Sequence, residues 1–352
     1  MKPPRPLARY NPAQTYAWNY DHAPPPVDAD VPAMPGPWSF CGFQIGSPLG
    51  IAAGPLLNGG WVRYYASLGF DVLTYKTVRT VRRDCYRLPN LLPVRCGQLH
   101  GGETRIPASD EPSGSWAVSF GMPSKPPGVW RADIEATRGK LPARKVLSVS
   151  VVGTVQEGWS IDDLAGDYAR AAVWAVESGA DVIEANFSCP NVSTRDGQLY
   201  QQPESAALVA ALLRQQIGHV PLVLKIGRLS GEPEAAALVE AVAQFADALS
   251  MTNSVAATVV SSQGELLFGG EKRGICGAAI RDASRRQTAM VARVIRERNL
   301  ALQLIGVGGA GTAADVRDYQ RAGAETVHLA TAAMLDPAVG IQIRRQWAAA
   351  PD

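Results

Sequence analysis

The chain has 352 residues, 46% of them hydrophobic, and its 34 basic and 32 acidic residues leave a formal net charge of +2. That balance excludes the general electrostatic pull toward nucleic acid or anionic lipid, while the length accommodates one large α/β barrel or two ordinary domains. Five cysteines at irregular spacings speak for a reducing, cytoplasmic compartment and against a disulfide framework.

Met1-Lys2-Pro3-Pro4-Arg5-Pro6 is too proline-rich to read as a secretion signal. No run approaches the roughly 20 apolar residues needed to cross a bilayer. Residues 1–37, rich in Pro, Tyr and Trp, lack a sustained period and read as an extended arm anchored by its aromatics, able to bridge subunits. From 38 to 352 short apolar runs alternate with amphipathic stretches, the pattern of parallel βα units. Strands are expected at 49–53, 72–76, 146–151, 182–186, 222–226, 248–252, 303–307 and 326–330. Helices are expected at 59–68, 162–178, 204–217, 233–246, 283–298 and 312–322. Eight such repeats predict a closed (β/α)8 TIM barrel with reactive residues at the strand C-termini. The long stretch 79–145, full of Gly, Pro and Arg, is expected to cap the barrel mouth.

Several strand exits carry polar groups. The first ends Ala52-Ala53-Gly54-Pro55, small enough for a flat ring to approach the backbone. The second ends Tyr75-Lys76-Thr77, where an ammonium must be satisfied at the mouth. The fourth runs Asp181-Val182-Ile183-Glu184-Ala185-Asn186-Phe187-Ser188-Cys189-Pro190-Asn191, an apolar strand stopped by proline and emptying into two amides, a hydroxyl and a thiol. Such a set suits a planar polar ligand from which a nearby group takes a proton. Cys189 is the candidate base; the other reading of a free cysteine is a small buried hydrophobe.

Asn186-x-Ser188-Cys189-Pro190-Asn191 resembles the active-site motif of the dihydroorotate dehydrogenase family, particularly its soluble members. In those the thiol is the catalytic base facing an FMN isoalloxazine, whereas the membrane-associated members use serine. The resemblance extends over roughly residues 42–337. It implies an FMN-dependent oxidoreductase in which Cys189 is the acid/base and Lys76 sits beside the flavin N5 and the substrate. Asn186, Asn191 and Asn253 would bind substrate, with Gly121 and Met122 from the segment Val118–Ser124 wrapping it. Ala53, Gly54, Thr77, Lys225 and Ser254 would contact the flavin. Quinone becomes a less expected acceptor; the actual acceptor is not identified, and a homodimer follows only from the resemblance.

Glycine turns supply the backbone N–H groups a phosphate needs. Gly274-Ile275-Cys276-Gly277 and Gly306-Val307-Gly308-Gly309 both fit, beside Ala330-Thr331, so Gly277, Gly308, Gly309, Ala330 and Thr331 are expected to form the FMN phosphate corner. The run from Gly306 to Gly311 also matches G-x-G-x-x-G, but about forty residues remain after it, too few for the rest of a dinucleotide domain. Cys276 reads as packing, His328 as structural, and Cys85, Cys96 and His100 fit no metal-ligand spacing. The arginines Arg79, Arg82, Arg83 and Arg87 read as a solvated face, one of which could meet a substrate carboxylate.

One departure stands out. Position 118, where the dihydroorotate enzymes typically carry a substrate-binding asparagine, is Val118. An ene-reductase or dehydrogenase of another heterocycle is therefore the alternative. A tRNA-modifying flavoprotein is a more distant one, lacking the basic helical domain expected of that class, and a catalytically silent flavin-binding protein is a third.

Overall fold

The computed structural model describes residues 6–188 and 198–349. All eight expected barrel strands form, at Leu49–Ile51, Val72–Val78, Val146–Val151, Val182–Asn186, Leu222–Lys225, Ala248–Met251, Gln303–Val307 and Thr326–Leu329. They pair in parallel, in sequence order, and close on themselves through Val327 against Leu49. Strands buried on both faces carry continuous Val, Ile and Leu runs, which is why these segments were legible. The six expected helices are present within a few residues, Ile161–Glu177 opening on a Ser160–Asp163 capping box.

The barrel floor is closed by a hairpin, Ser39–Phe40 against Phe43–Gln44, whose two turn residues Cys41 and Gly42 both have positive φ (45° and 87°), as this tight connection requires. Phe40 and Ile45 plug the barrel against Val72, Val146, Val182 and Val223. Access is thereby left to the C-terminal end.

The cap differs from the expectation. A five-stranded sheet covers the mouth, and only three of its strands, Leu91–Pro93, Arg105–Pro107 and Ser115–Val118, come from 79–145. The other two, Val255–Val260 and Arg273–Gly277, come from the segment after barrel strand six. Residues 274–277, expected as a glycine turn, thus lie in a strand of the cap, with Gly277 at its end. The rest of 79–145 includes helix Pro127–Arg138, the outer helix after barrel strand two.

The N-terminal stretch is not wholly extended. It contains helix Tyr16–Asp21, capped by the Thr15 side chain, and is tied to the barrel by Trp61 Nε1 donating to the Asn19 carbonyl (2.9 Å) and Tyr64 donating to that of Ala8 (2.9 Å). At the other end, helix Val339–Ala349 supplies Arg344, whose guanidinium meets buried Asp71 at 2.6 Å while Lys145 reaches the other carboxylate oxygen at 2.7 Å.

Candidate active site

A cleft of about 920 Å³, counting its open mouth, lies between the C-terminal ends of the barrel strands and the cap. Its wall brings together Ala53, Gly54, Lys76, Thr77, Gly121, Met122, Asn186, Lys225, Asn253, Ser254, Ala330 and Thr331. These come from strand exits one, two, four, five, six and eight and from the segment after the cap strand Ser115–Val118. Cys189 and Asn191 lie outside the described residues; the chain leads to them through Ser188, which lines the cleft.

Local structure explains how each side chain is aimed. The register of strand two against strand three shifts between Tyr75 and Val78, and a bulge there re-aims the side chains it carries. Lys76 falls within that shift, is 7% exposed, and holds its Nζ 5.5 Å from the Phe120 ring centroid. Thr77 is held by a hydroxyl contact with Ser150 (3.0 Å). Asn186 is fixed on three sides: Tyr168 donates to its carbonyl (2.8 Å), the Ser188 N–H donates to its Oδ1 (3.1 Å), and its Nδ2 reaches Met122 Sδ (3.5 Å). Asn253 Nδ2 donates to the Ser188 carbonyl (3.2 Å). Gly121 has φ +72°, and a Cβ there would meet the Tyr86 ring at 2.6 Å, so only glycine lets the wrapping segment pass.

Arg79 departs from the sequence reading. Its side chain is fully buried and donates to the Gly153 carbonyl (2.6 Å), Thr154 Oγ1 (2.8 Å) and the Met122 carbonyl (3.4 Å). It fastens the segment carrying Met122 to the barrel and is no solvated cation. Cys276 lines the cleft, its thiol pushed up to about 11 by burial, with Lys225 pulling the other way; it stays protonated at neutral pH, in keeping with a packing residue. His328 is buried beside Gly50 and Phe40, with neither ring nitrogen hydrogen-bonded among the described residues.

Gly277, Gly308 and Gly309 do not line the cleft itself but converge at its edge. A Cβ on Gly309 would stand 2.7 Å from the Gly277 carbonyl oxygen, and one on Gly277 would stand 2.9 Å from Thr331 Cγ2. Their φ values of +92°, +134° and +74° are open to glycine and strained for other residues.

Three features test whether FMN fits. A Cβ on Gly54 would meet nothing within 4 Å, leaving space beside the backbone of the cleft wall. Ser254 Oγ and Trp116 Nε1, both buried in that wall, have no hydrogen-bond partner among the described residues, and a ring bearing carbonyls satisfies such groups. Gly277, Gly308 and Gly309, all at positive φ, stand with Thr331 at the cleft edge, and glycine turns are where backbone N–H groups gather for an anion. The residues present fit the group.

Sequence reading missed Leu91, Trp116 and Met334 in the wall. Trp116 and Val118 share one face of a cap strand, opposite Cys276 and Gly274 on the neighbouring strand. The alternation in Ser115-Trp116-Ala117-Val118 was the available signal.

A closed parallel barrel with its polar side chains gathered at the C-terminal mouth defines a barrel enzyme. The model of the dihydroorotate dehydrogenase family matches residues 113–349. Dihydroorotate dehydrogenase of Dictyostelium discoideum is 29% identical over 323 residues, 86% of each chain. The catalytic subunit of dihydroorotate dehydrogenase B (NAD(+)) from Citrifermentans bemidjiense is 29% identical over 171 residues, a match spanning 48% of this chain and 53% of that one. Among solved structures, that of dihydroorotate dehydrogenase from Eimeria tenella in complex with ferulenol superposes with a TM-score of 0.73 at 17% identity, covering 94% of this chain and 88% of that one. The chain belongs to the dihydroorotate dehydrogenase family and is an oxidoreductase acting on CH–CH bonds.

Proposed function

We propose that the protein is an FMN-dependent oxidoreductase that interconverts a saturated and an unsaturated ring bond of dihydroorotate or a closely related cyclic amide. The observation that carries this reading is the convergence of Lys76, Asn186, Lys225 and Asn253, from four different strand ends, on one cleft roofed by Gly121 and Met122. FMN, when bound, supplies the two-electron acceptor. Asn186 and Asn253 hold the ring amide and carbonyl edges, pre-oriented by their bonds to Ser188, so that little ordering is left for binding to achieve. Lys76, desolvated under Phe120, holds negative charge on the ligand. Cys189 takes the proton from the ring carbon next to the one that loses hydride, and returns it in the reverse direction. A thiol does this as thiolate, so the forward rate rises with pH until Cys189 is ionised. Ala53, Gly54, Thr77, Ser254 and Thr331 line the flavin site, Asn191 binds substrate beside Cys189, and Gly277, Gly308 and Gly309 hold the phosphate. A cytosolic homodimer belongs to the same reading; light scattering checks the dimer and cell fractionation the location.

A second reading rests on the roof. Leu91, Trp116, Val118 and Phe120 make it apolar, with Trp116 Nε1 its unpartnered donor. Where a substrate carboxylate or amide is left without a partner, the loss is about 1–3 kcal/mol. This favours a heterocycle bearing a less polar group on the side facing Val118.

Both readings are tested by loading the protein with FMN and mixing it anaerobically with dihydroorotate or with 5,6-dihydrouracil, which lacks the carboxylate. Bleaching by dihydroorotate supports the first reading. Bleaching by dihydrouracil alone, with dihydroorotate activity gained in Val118→Asn, supports the second. FMN retention without bleaching by either ring overturns both as stated.

A further inference from the structure

At the cleft floor lies a buried pair of which one member, Glu184, has no part in the proposed chemistry. Lys225 Nζ and Glu184 Oε1 stand 3.9 Å apart, and their side chains are 7% and 2% exposed. Lys225 lines the cleft and Glu184 does not. By strand alternation Val182, Glu184 and Asn186 face the barrel interior, and Lys225 is in register with Asn186, one layer above Glu184. The carboxylate is therefore behind the ammonium as seen from the cleft. At 3.9 Å the contact is Coulombic and too long for a hydrogen bond, and among the described residues Oε1 has no hydrogen-bond partner.

That arrangement is a poor stabiliser. A buried pair with incomplete hydrogen bonding is matched or bettered in stability by apolar side chains of the same volume. The same strand offers such side chains at Val182 and Ile183. Other groups that feel the Lys225 charge are His328, held neutral by burial, and Cys276, held protonated. Among the described residues Glu184 is the carboxylate within ion-pair distance of it.

We propose that Glu184 is a positioning residue that sets the reduction potential of the bound flavin by tethering the Lys225 ammonium to the cleft floor and offsetting part of its charge. This rests on the FMN reading above. Removing the negative charge while keeping the side-chain shape leaves Lys225 uncompensated, so a flavin that gains negative charge on reduction is favoured over its oxidised form. Removing the ammonium has the opposite effect. Because a buried carboxylate left without its cation is neutralised rather than kept charged, Glu184 has little influence once Lys225 is gone, and the two substitutions are non-additive.

The test is the two-electron midpoint potential of the FMN-loaded wild type and of the variants Glu184→Gln, Lys225→Met and the double variant, measured by dye-coupled equilibration. Glu184→Gln is expected to raise the reduced-to-oxidised ratio about tenfold at a fixed ambient potential, a shift of about 30 mV for a two-electron couple. Lys225→Met is expected to lower the potential, and the double variant to match Lys225→Met. An unchanged potential in Glu184→Gln that still holds FMN would reduce Glu184 to a structural role, and additive shifts would show it acting independently of Lys225. If Glu184→Gln does not fold, Glu184→Asp, which keeps the charge and shortens the tether, must move the potential from that of wild type or the proposal fails. Wild type that binds no FMN would instead overturn the cofactor reading.

Discussion

Phe120 lies over the ammonium of Lys76, with Nζ 5.5 Å from the ring centroid, and the same ring is met edge-on by Tyr10 and Tyr16 at 6.0 and 6.1 Å. A chain of contacts thus runs from the N-terminal stretch through the cleft roof to the lysine. A cation over a desolvated ring is stabilised by about 0.5–2 kcal/mol. Phe120→Leu keeps the apolar volume and removes the ring, and should raise KM several-fold while FMN is retained. It should also speed limited proteolysis within residues 6–22. Unchanged KM and cleavage would disconnect the N-terminal stretch from the site.

Lys76→Met tests whether the bulged lysine serves chemistry or packing. Loss of one pre-oriented charge at a reacting centre costs about 10²–10³ in rate. We expect a fall of that size in the anaerobic flavin-bleaching rate with little change in thermal stability. A rate within a few-fold of wild type would make Lys76 a structural cation.

His328 supplies a pH signature. Burial, assisted by the Lys225 charge, pulls its imidazole from the ordinary 6.5 down to about 3. The unfolded chain therefore binds a proton between these values that the folded chain refuses, so this contribution is intact above about pH 6.5 and is lost as pH falls toward 3. At pH 5 the loss is on the order of 2 kcal/mol. Melting temperatures of wild type and His328→Leu from pH 8 to pH 4 check it: the wild-type decline should be shallower in the variant. Parallel curves would show that His328 is not the titrating group.

The pole of the barrel opposite the cleft predicts a stability effect without a site effect. Asp71 is shared by Arg344, Lys145 and the Ser47 hydroxyl, and removing one partner of a buried pair costs about 3–5 kcal/mol. Asp71→Ala should unfold at correspondingly lower denaturant, with kcat of the remaining folded fraction unchanged. Wild-type stability in this variant would contradict the buried network.

What was legible in the sequence follows from range. The barrel strands announce themselves because each buries both faces, and several then end abruptly in polar residues, as Leu224-Lys225 and Ala185-Asn186 do. The cap sheet does not, because its strands are three to six residues long and are held by partners far along the chain: Val118 pairs with both Leu91 and Gly274. Helix Tyr16–Asp21 is too short to show a period, and Arg79 looks like its exposed neighbours until Gly153 and Met122 fold around it. Glu184 was hidden for a similar reason: strand alternation puts it on the interior face with Val182 and Asn186, and only the register with Lys225 gives it a partner.

The most direct test of the central claim is the anaerobic bleaching of FMN-loaded wild type and Cys189→Ser by dihydroorotate, followed by stopped flow from pH 6 to pH 10. The account predicts rapid bleaching in wild type that rises with pH to a plateau, and at neutral pH a loss of about 10²-fold or more in Cys189→Ser, because a hydroxyl is far less ionised than a thiol there. Equal rates in the two proteins, with FMN bound in both, would contradict Cys189 as the base.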